Sequence, residues 1–202
     1  MKPAYKAPLQ NRALTTDQRF LDAMCELLQQ SSLNLLTIDD IAAKAGLTRS
    51  AFLKRFGAKN QALLVLYGRY CDKVLIAMAE VAKDMHSFEN AFEACRRVSM
   101  DAEKLQAADF AANRGMHEMF METLQVHPLT KGLFKQCCEL MKEIQRVHLT
   151  PGKGSDAGAY AAAQLIFTIN YNHVLKAMPG LPRDPETRHK IIAQLTAHAL
   201  EY

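Results

Sequence analysis

An all-α fold is predicted, because hydrophobic residues recur at helical spacing along nearly the whole chain and no alternating strand pattern persists. The chain has 202 residues, of which 49% are hydrophobic and 23% are charged. This composition is ordinary for a globular protein, and the length suffices for one large core or two smaller ones. The pattern divides into roughly nine helices. We expect an N-terminal domain, residues 1–60, and a second helical domain, residues 61–202.

The first three predicted helices are short and closely spaced. The first covers residues 15–32, with Thr15 or Thr16 at its start. The second follows Thr37, an N-cap candidate, and ends at Gly46, where a helix end favours a residue free to adopt positive φ. The third helix is Thr48–Phe56. Two short helices joined by a glycine-containing turn and packed on a longer helix form a helix-turn-helix, whose second helix enters the major groove of DNA.

Positive charge is concentrated in the same segment. The formal net charge is +4, and residues 1–60 hold nine basic and five acidic side chains, so they account for all of the excess. Five basic residues and no acid lie between Ala42 and Asn60. A local basic excess on a small helical segment favours a polyphosphate partner. Taken alone, charge leaves a solvated basic face with no partner as an equal alternative; its coincidence with the motif favours DNA.

The third helix has one apolar and one polar face. Phe52 and Phe56 are four residues apart and are expected to face inward together. The outer surface then holds Arg49, Ser50, Leu53, Lys54 and Arg55. Arg49 and Arg55 can make bidentate contacts to guanine, whereas Lys54 and Lys59 are expected to neutralise phosphates.

The remaining helices are longer and carry no motif of known chemistry. They are predicted over residues 61–81, 88–100, 105–126 (one or two helices), 129–149, 157–178 and 185–200. The Ala-rich helix 157–178 permits close approach of a second helix, so it is a candidate dimer surface; an ordinary buried helix is the alternative.

Candidate ligand-binding residues lie in this second domain. Met and Phe line adaptable apolar pockets, and polar residues within apolar stretches need partners, although both also occur in ordinary cores. The candidates are Met78, Phe88, Phe92, Asn113, Met116, His117, Phe120, Asn170 and His173. Their chemistry favours a small apolar or aromatic molecule, and a chain without any effector is the alternative.

Several classes of function are not indicated. There is no Gly-rich phosphate loop, G-x-S-x-G, H-E-x-x-H or cluster of metal ligands, so we expect neither an enzyme, nor a cofactor, nor a metal site. The five cysteines include no C-x-x-C pair and are expected to be reduced, and the adjacent Cys137 and Cys138 leave a redox role open. No apolar run has the length of a membrane span and the basic N-terminus lacks a signal-peptide core, so a cytoplasmic location is expected.

The segment from Thr37 to Leu64 resembles the DNA-binding domain of the tetracycline-repressor (TetR) family of bacterial transcription regulators. The residues that carry the resemblance are Thr37, Ile41-Ala42, Ala45-Gly46-Leu47-Thr48, Phe56, Lys59 and Leu63. Three positions depart from the family pattern: a common Tyr is Leu53 here, a neighbouring Thr is Ala51, and a usual His is Arg55.

The resemblance implies roles for these residues. Residues Thr48 to Arg55, among them Ser50, would read bases and phosphates, and Thr37 and Lys59 would each contact a phosphate. A basic arm with Lys2, Lys6 and Arg12 would add backbone contacts. The last two helices, about 157–201, would form a homodimer, and the helices before them would enclose an effector pocket. The implied function is a repressor that a small molecule releases from a palindromic operator; an effector-free nucleoid or division protein with the same head is the alternative.

Overall fold

The computed structural model describes residues 11–174 and 181–202, and in these residues the chain is helical and forms no strand, as predicted. Lys2 and Lys6 of the basic arm lie outside the described residues. Nine α-helices and a 3-10 turn, Met85–Ser87, are described. The helices are α1 (Asn11–Gln30), α2 (Ile38–Ala45), α3 (Arg49–Phe56), α4 (Lys59–Lys83), α5 (Ala91–Ala108), α6 (Phe110–Thr123), α7 (Pro128–His148), α8 (Asp156–Val174) and α9 (Pro185–Leu200).

Several predicted helix boundaries differ from the structure, most clearly the start of α1 and the end of α5. Helix α1 begins at Asn11 rather than at Thr15 or Thr16, because residues 11–14 contain no glycine or proline to stop it. Helix α5 continues to Ala108, past the end predicted at residue 100, and the break comes at Asp109. The predicted end of the Ala-rich helix at residue 178 lies outside the described residues.

The chain forms two compact units. The head unit comprises the described residues up to Tyr70 together with Asp109–Gln125, and the helical unit comprises Cys71–Ala108 with the described part of Val126–Tyr202. Helix α6 joins the head unit because it is bonded to the end of α1 and the segment after it. Arg114 donates to the carbonyl of Leu28 at 3.4 Å, and the amide of Leu33 donates to the Glu118 carboxylate.

Three aromatic rings form the centre of the head unit. Phe20 of α1 lies edge-to-face on Phe52, with ring centroids 5.2 Å apart, and on Phe56 at 6.1 Å. Phe52 and Phe56 are buried, as their spacing predicts. Each such ring pair adds about 0.5–1.5 kcal/mol beyond the burial of its area. The cluster fixes α3 against α1 and leaves the opposite face of α3 outward.

The turn between α2 and α3 depends on Gly46. Its φ of 62° and ψ of 37° are left-handed, and the amides of Gly46 and Leu47 donate to the carbonyls of Ala43 and Ala42. This bond pair is the Schellman motif. Arg19 completes the cap from α1, because its Nη2 donates to the carbonyl of Ala45 at 2.6 Å. Sequence reasoning counted Arg19 only as a charge.

Gly46→Ala is expected to lower the free energy of unfolding by about 1–2 kcal/mol, since a left-handed backbone is strained in any residue with a Cβ. The added Cβ would also lie 3.0 Å from Arg19 Nη2. Gly68→Ala is the matched control: a Cβ there meets nothing within 4 Å, and it removes a glycine from inside α4. Urea unfolding followed by circular dichroism measures both. Equal stability of the Gly46 variant and the wild type would contradict the expectation.

Small residues of α8 bring it close to α9 in the helical unit. Ala159, Ala162 and Ala163 are fully buried, and a Cβ on Gly158 would lie 2.7 Å from the carbonyl oxygen of Ala199. Part of the Ala-rich pattern therefore serves packing within the chain. The same core contains Cys95 and Cys137, and burial raises the pKa of each thiol to about 12.

Candidate DNA-binding site

The outer face of α3 carries the side chains that the sequence predicts for it. Arg49, Ser50 and Lys54 are exposed, together with Thr48, whose hydroxyl caps the helix by accepting from the amide of Ala51 at 3.2 Å. Leu53 keeps 39% of its surface exposed. The structure therefore brings hydroxyl, ammonium, guanidinium and apolar groups together on one short helix.

Thr37 begins α2 with a reciprocal cap. Its hydroxyl accepts from the amide of Asp40 at 3.1 Å, and its own amide donates to Asp40 Oδ2 at 3.0 Å. This arrangement is the capping box. Hydrogen bonds from the hydroxyl and the amide of Thr37 lower the pKa of Asp40. Thr37 stays exposed at the helix N-terminus, where backbone amides favour an anion.

Most cations between Ala42 and Asn60 have partners within the head unit. Lys44 Nζ lies 2.7 Å from Glu26, and Arg49 Nη1 lies 2.6 Å from Asp39. Both pairs are exposed, so they contribute little to stability. Lys54 has no ion-pair or hydrogen-bond partner among the residues that the structure describes.

Arg55 and Lys59 are held more firmly. Arg55 Nε lies 3.3 Å from Asp17 Oδ1, and the Asp17 side chain is only 2% exposed. Lys59 Nζ donates to the carbonyls of Leu33 and Leu36, at 2.6 and 2.8 Å. These contacts tie α3 to α1, and α4 to the segment between α1 and α2. The net charge of the segment gives no sign that Arg55 and Lys59 are bonded to other parts of the head unit.

The predicted ligand residues fall in different parts of the fold. Met78, Phe88 and Phe92 are partly buried against the core of the helical unit, where Asn170 and His173 also lie. Four candidates lie instead on α6, within the head unit. These are Asn113, Met116, His117 and Phe120.

Asn170 and His173 belong to a polar cluster around Glu103 of α5. Arg188 of α9 donates twice to the Glu103 carboxylate, at 2.8 and 2.6 Å. Ser99 Oγ lies 2.9 Å from His189 Nδ1 and 3.4 Å from Asn170 Nδ2. Sequence reasoning missed Glu103 and Arg188, because residues 85 positions apart give no local signal.

Burial and charge determine the protonation of this cluster. Burial opposes ionisation of Glu103, but the hydrogen bonds and charge of Arg188 outweigh it and lower the pKa. Burial also lowers the pKa of His189, against the opposing charge of Glu103. Glu103 and His189 line a cleft of about 620 Å³. In the described part of the chain, no group of three or more His, Cys, Asp or Glu residues could hold a metal ion.

Comparisons with known proteins agree with this arrangement. The model of "Bacterial regulatory proteins, tetR family" matches residues 20–65, which cover α2, α3 and parts of α1 and α4. No curated protein sequence matches the chain. Among the described residues, no helix is both long and apolar enough to cross a membrane.

Solved structures share the fold over nearly the whole chain at low sequence identity. The TetR-family regulator PfmR from Thermus thermophilus has 15% identity and a TM-score of 0.63, covering 91% of this chain and 100% of its own. FadR, a fatty acid degradation regulator from Bacillus halodurans, has 17% identity and a TM-score of 0.62, covering 90% of this chain and 94% of its own. The ketosteroid transcriptional regulator KstR2 of Mycobacterium tuberculosis has 16% identity and a TM-score of 0.61, covering 97% of this chain and 96% of its own.

The matched segment coincides with the capped helix pair described above, whose second helix faces outward. The all-helical remainder agrees with the solved structures. Residues 20–65 therefore match the tetR family of bacterial regulatory proteins, and the chain as a whole shares its fold with solved TetR-family regulators.

Proposed function

We propose that the protein is a transcriptional repressor that binds a palindromic operator as a homodimer and is released by a small-molecule effector. Residues 1–60 would contact DNA, and residues 61–202 would bind the effector and form the dimer. The observation that carries the proposal is the exposed face of α3, where Arg49, Ser50 and Lys54 lie beside the glycine turn.

The roles of the individual side chains follow from their partners. Arg49 is exposed and reads guanine, while Lys54 and the helix-starting Thr37 and Thr48 contact phosphates. Arg55 and Lys59 carry positive charge into the same region, but their internal bonds restrict them. We assign Arg55 and Lys59 mainly to holding α3 and α4 in place. Their N–H donors that make no internal bond can contact phosphates.

Exposed apolar side chains on the last two helices support dimerisation there. Ile191 and Leu195 of α9 are 36% and 48% exposed, and Tyr160 of α8 is 57% exposed. Ile191 and Leu195 are four residues apart and share one helix face. One head offers too little surface for tight specific binding, so a second copy is needed.

A small apolar or aromatic effector is the class to screen first. The cleft of about 620 Å³ in the helical unit is lined mostly by charged side chains, so it does not supply the apolar surface that such a ligand needs. Met78, Phe88 and Phe92 supply adaptable apolar surface in the same unit. Two regulators with this fold are named for fatty acid degradation and for ketosteroids.

Arg49→Ala is expected to abolish the selection of specific DNA sites, because each bidentate arginine–guanine contact is worth about 1–3 kcal/mol of discrimination and the dimer uses it twice. The measurement is capture of genomic fragments by the purified protein at near-physiological salt. Wild type should enrich a few palindromic sites, and the variant should enrich none of them. Uniform weak capture by wild type would contradict specific regulation and favour the nucleoid-type alternative.

The effector is tested on the duplex that wild type selects. Fatty acids, steroids and aromatic compounds are added singly, and release is followed by fluorescence anisotropy of labelled DNA. Release by one chemical class, with no effect of its polar analogues, supports an effector-controlled repressor. Site-specific binding that no compound changes favours an effector-free protein with the same head.

A further inference from the structure

We infer that Asp39 positions Arg49 for base reading and thereby increases the DNA sequence specificity of the head. The inference rests on the proposed DNA-binding function. Asp39 lies in the first turn of α2 and Arg49 is the first residue of α3, so the pair joins the two helices of the motif across the glycine turn.

The geometry leaves the reading edge of Arg49 available. Asp39 Oδ2 accepts from Arg49 Nη1 at 2.6 Å, and this is the one hydrogen bond of the guanidinium within the described residues. A guanidinium has five donors in a fixed planar fork. With one donor of Nη1 engaged, those on Nη2 and Nε can still reach the two major-groove acceptors of guanine, O6 and N7.

A purely structural role for this pair explains little. The side chains of Arg49 and Asp39 are 55% and 65% exposed, and exposed ion pairs add little to stability. The N-terminus of α2 is already capped by Thr37 and Asp40, so Asp39 is not needed for that purpose. Asp39 contributes at most through the helix dipole, as any acid in a first turn does.

Electrostatics alone disfavours an acid at this place. A carboxylate on a surface that meets a polyanion weakens attraction to every DNA sequence equally. A smaller loss of side-chain entropy compensates for this. A long, flexible arginine that is held in place before binding loses less entropy when it contacts a base. Lys54 on the same helix differs from Arg49, because it has no such partner in the described part of the chain. It suits contact with a phosphate, which needs no fixed side-chain geometry.

The test compares specific with non-specific binding. The probes are the duplex that wild type enriches most from genomic DNA and a scrambled duplex of the same composition. For Asp39→Asn, affinity for the scrambled duplex should rise because one negative charge is lost. The ratio of specific to non-specific affinity should fall about fivefold or more, within the ~5–150-fold that one bidentate contact supplies. A 7-deazaguanine in each half-site should then weaken the variant less than the wild type.

Two further variants separate positioning from charge and from folding. Asp39→Glu keeps the charge but displaces the carboxylate by one methylene, so specificity should fall without a rise in affinity for the scrambled duplex. Glu26→Gln is the matched control: it removes one negative charge from the exposed pair of Glu26 with Lys44 and should leave the specificity ratio unchanged. Thermal unfolding confirms that each variant is folded.

The outcomes distinguish this inference from the proposed function. If wild type selects sites and folded Asp39→Asn keeps or improves the specificity ratio, the positioning role is wrong while the regulator remains. If both Asp39→Asn and Glu26→Gln lower the ratio equally, the effect belongs to net charge, and the inference is again wrong. If wild type selects no sites, both the inference and the proposed function fail.

Discussion

Arg55→Ala is expected to lower the free energy of unfolding by about 2–4 kcal/mol, somewhat less than the ~3–5 kcal/mol of a fully buried broken pair. The reason is the carboxylate that remains. Asp17 is 2% exposed and cannot turn to water, whereas Arg55 is 30% exposed. Removing the cation therefore takes the guanidinium away from a buried carboxylate between α1 and α3, where Phe20 packs on Phe52.

The two partners should differ in the cost of their removal. Asp17→Asn leaves an arginine that can move toward solvent, so its loss of stability should be smaller than that of Arg55→Ala. The double variant Asp17→Asn/Arg55→Met should recover much of the stability, because the buried carboxylate is then replaced together with its guanidinium and the methionine retains an apolar stem. Chemical unfolding of the wild type, Asp17→Asn, Arg55→Met and the double variant gives the coupling free energy.

Lys54→Ala is the control on the neighbouring residue. Its side chain is exposed and has no partner in the described residues, so stability should change by less than about 0.5 kcal/mol. An Arg55→Ala variant as stable as Lys54→Ala would show that Asp17 and Arg55 do not form a stabilising pair. The stable double variant also permits a DNA-binding measurement without Arg55, which tests directly whether this arginine reads a base.

Local features of the head could be predicted because their signals lie within a few residues. A threonine directly before an apolar stripe predicts the N-cap that Thr37 forms on α2. A glycine after an apolar stripe predicts the left-handed end at Gly46, and a spacing of four predicts that Phe52 and Phe56 are buried together. These features alone define the helix pair and its outer face.

Contacts between distant residues could not be predicted in the same way. Arg55 and Lys59 were predicted to contact DNA and Arg19 was counted only in the net charge, yet each has a partner on another element. A count of charges records that a cation is present but not where its side chain is bonded. The same limit applies to α6, whose periodicity gives no sign that Glu118 bonds to the segment after α1.

Leu195→Glu is expected to convert the protein to a monomer and to weaken binding to its selected duplex by at least about 100-fold, since specific affinity exceeds non-specific affinity by ~10³–10⁷ and depends on both half-sites. Leu195 is 48% exposed on α9, one turn from Ile191 on the same face. An apolar side chain on this face gains from burial against a second copy, whereas a buried glutamate would have no partner for its charge. Analytical ultracentrifugation measures the mass, and fluorescence anisotropy measures the affinity.

Ile76→Glu is the matched control for this change, because it places the same charge on an aliphatic side chain of α4 that is 61% exposed. It should leave the dimer and the affinity intact if the last two helices form the interface. The reverse pattern, a monomer for Ile76→Glu and a dimer for Leu195→Glu, would place the interface on α4 instead. A Leu195→Glu protein that is monomeric yet binds its duplex as tightly as wild type would contradict the need for two heads, and with it the palindromic operator.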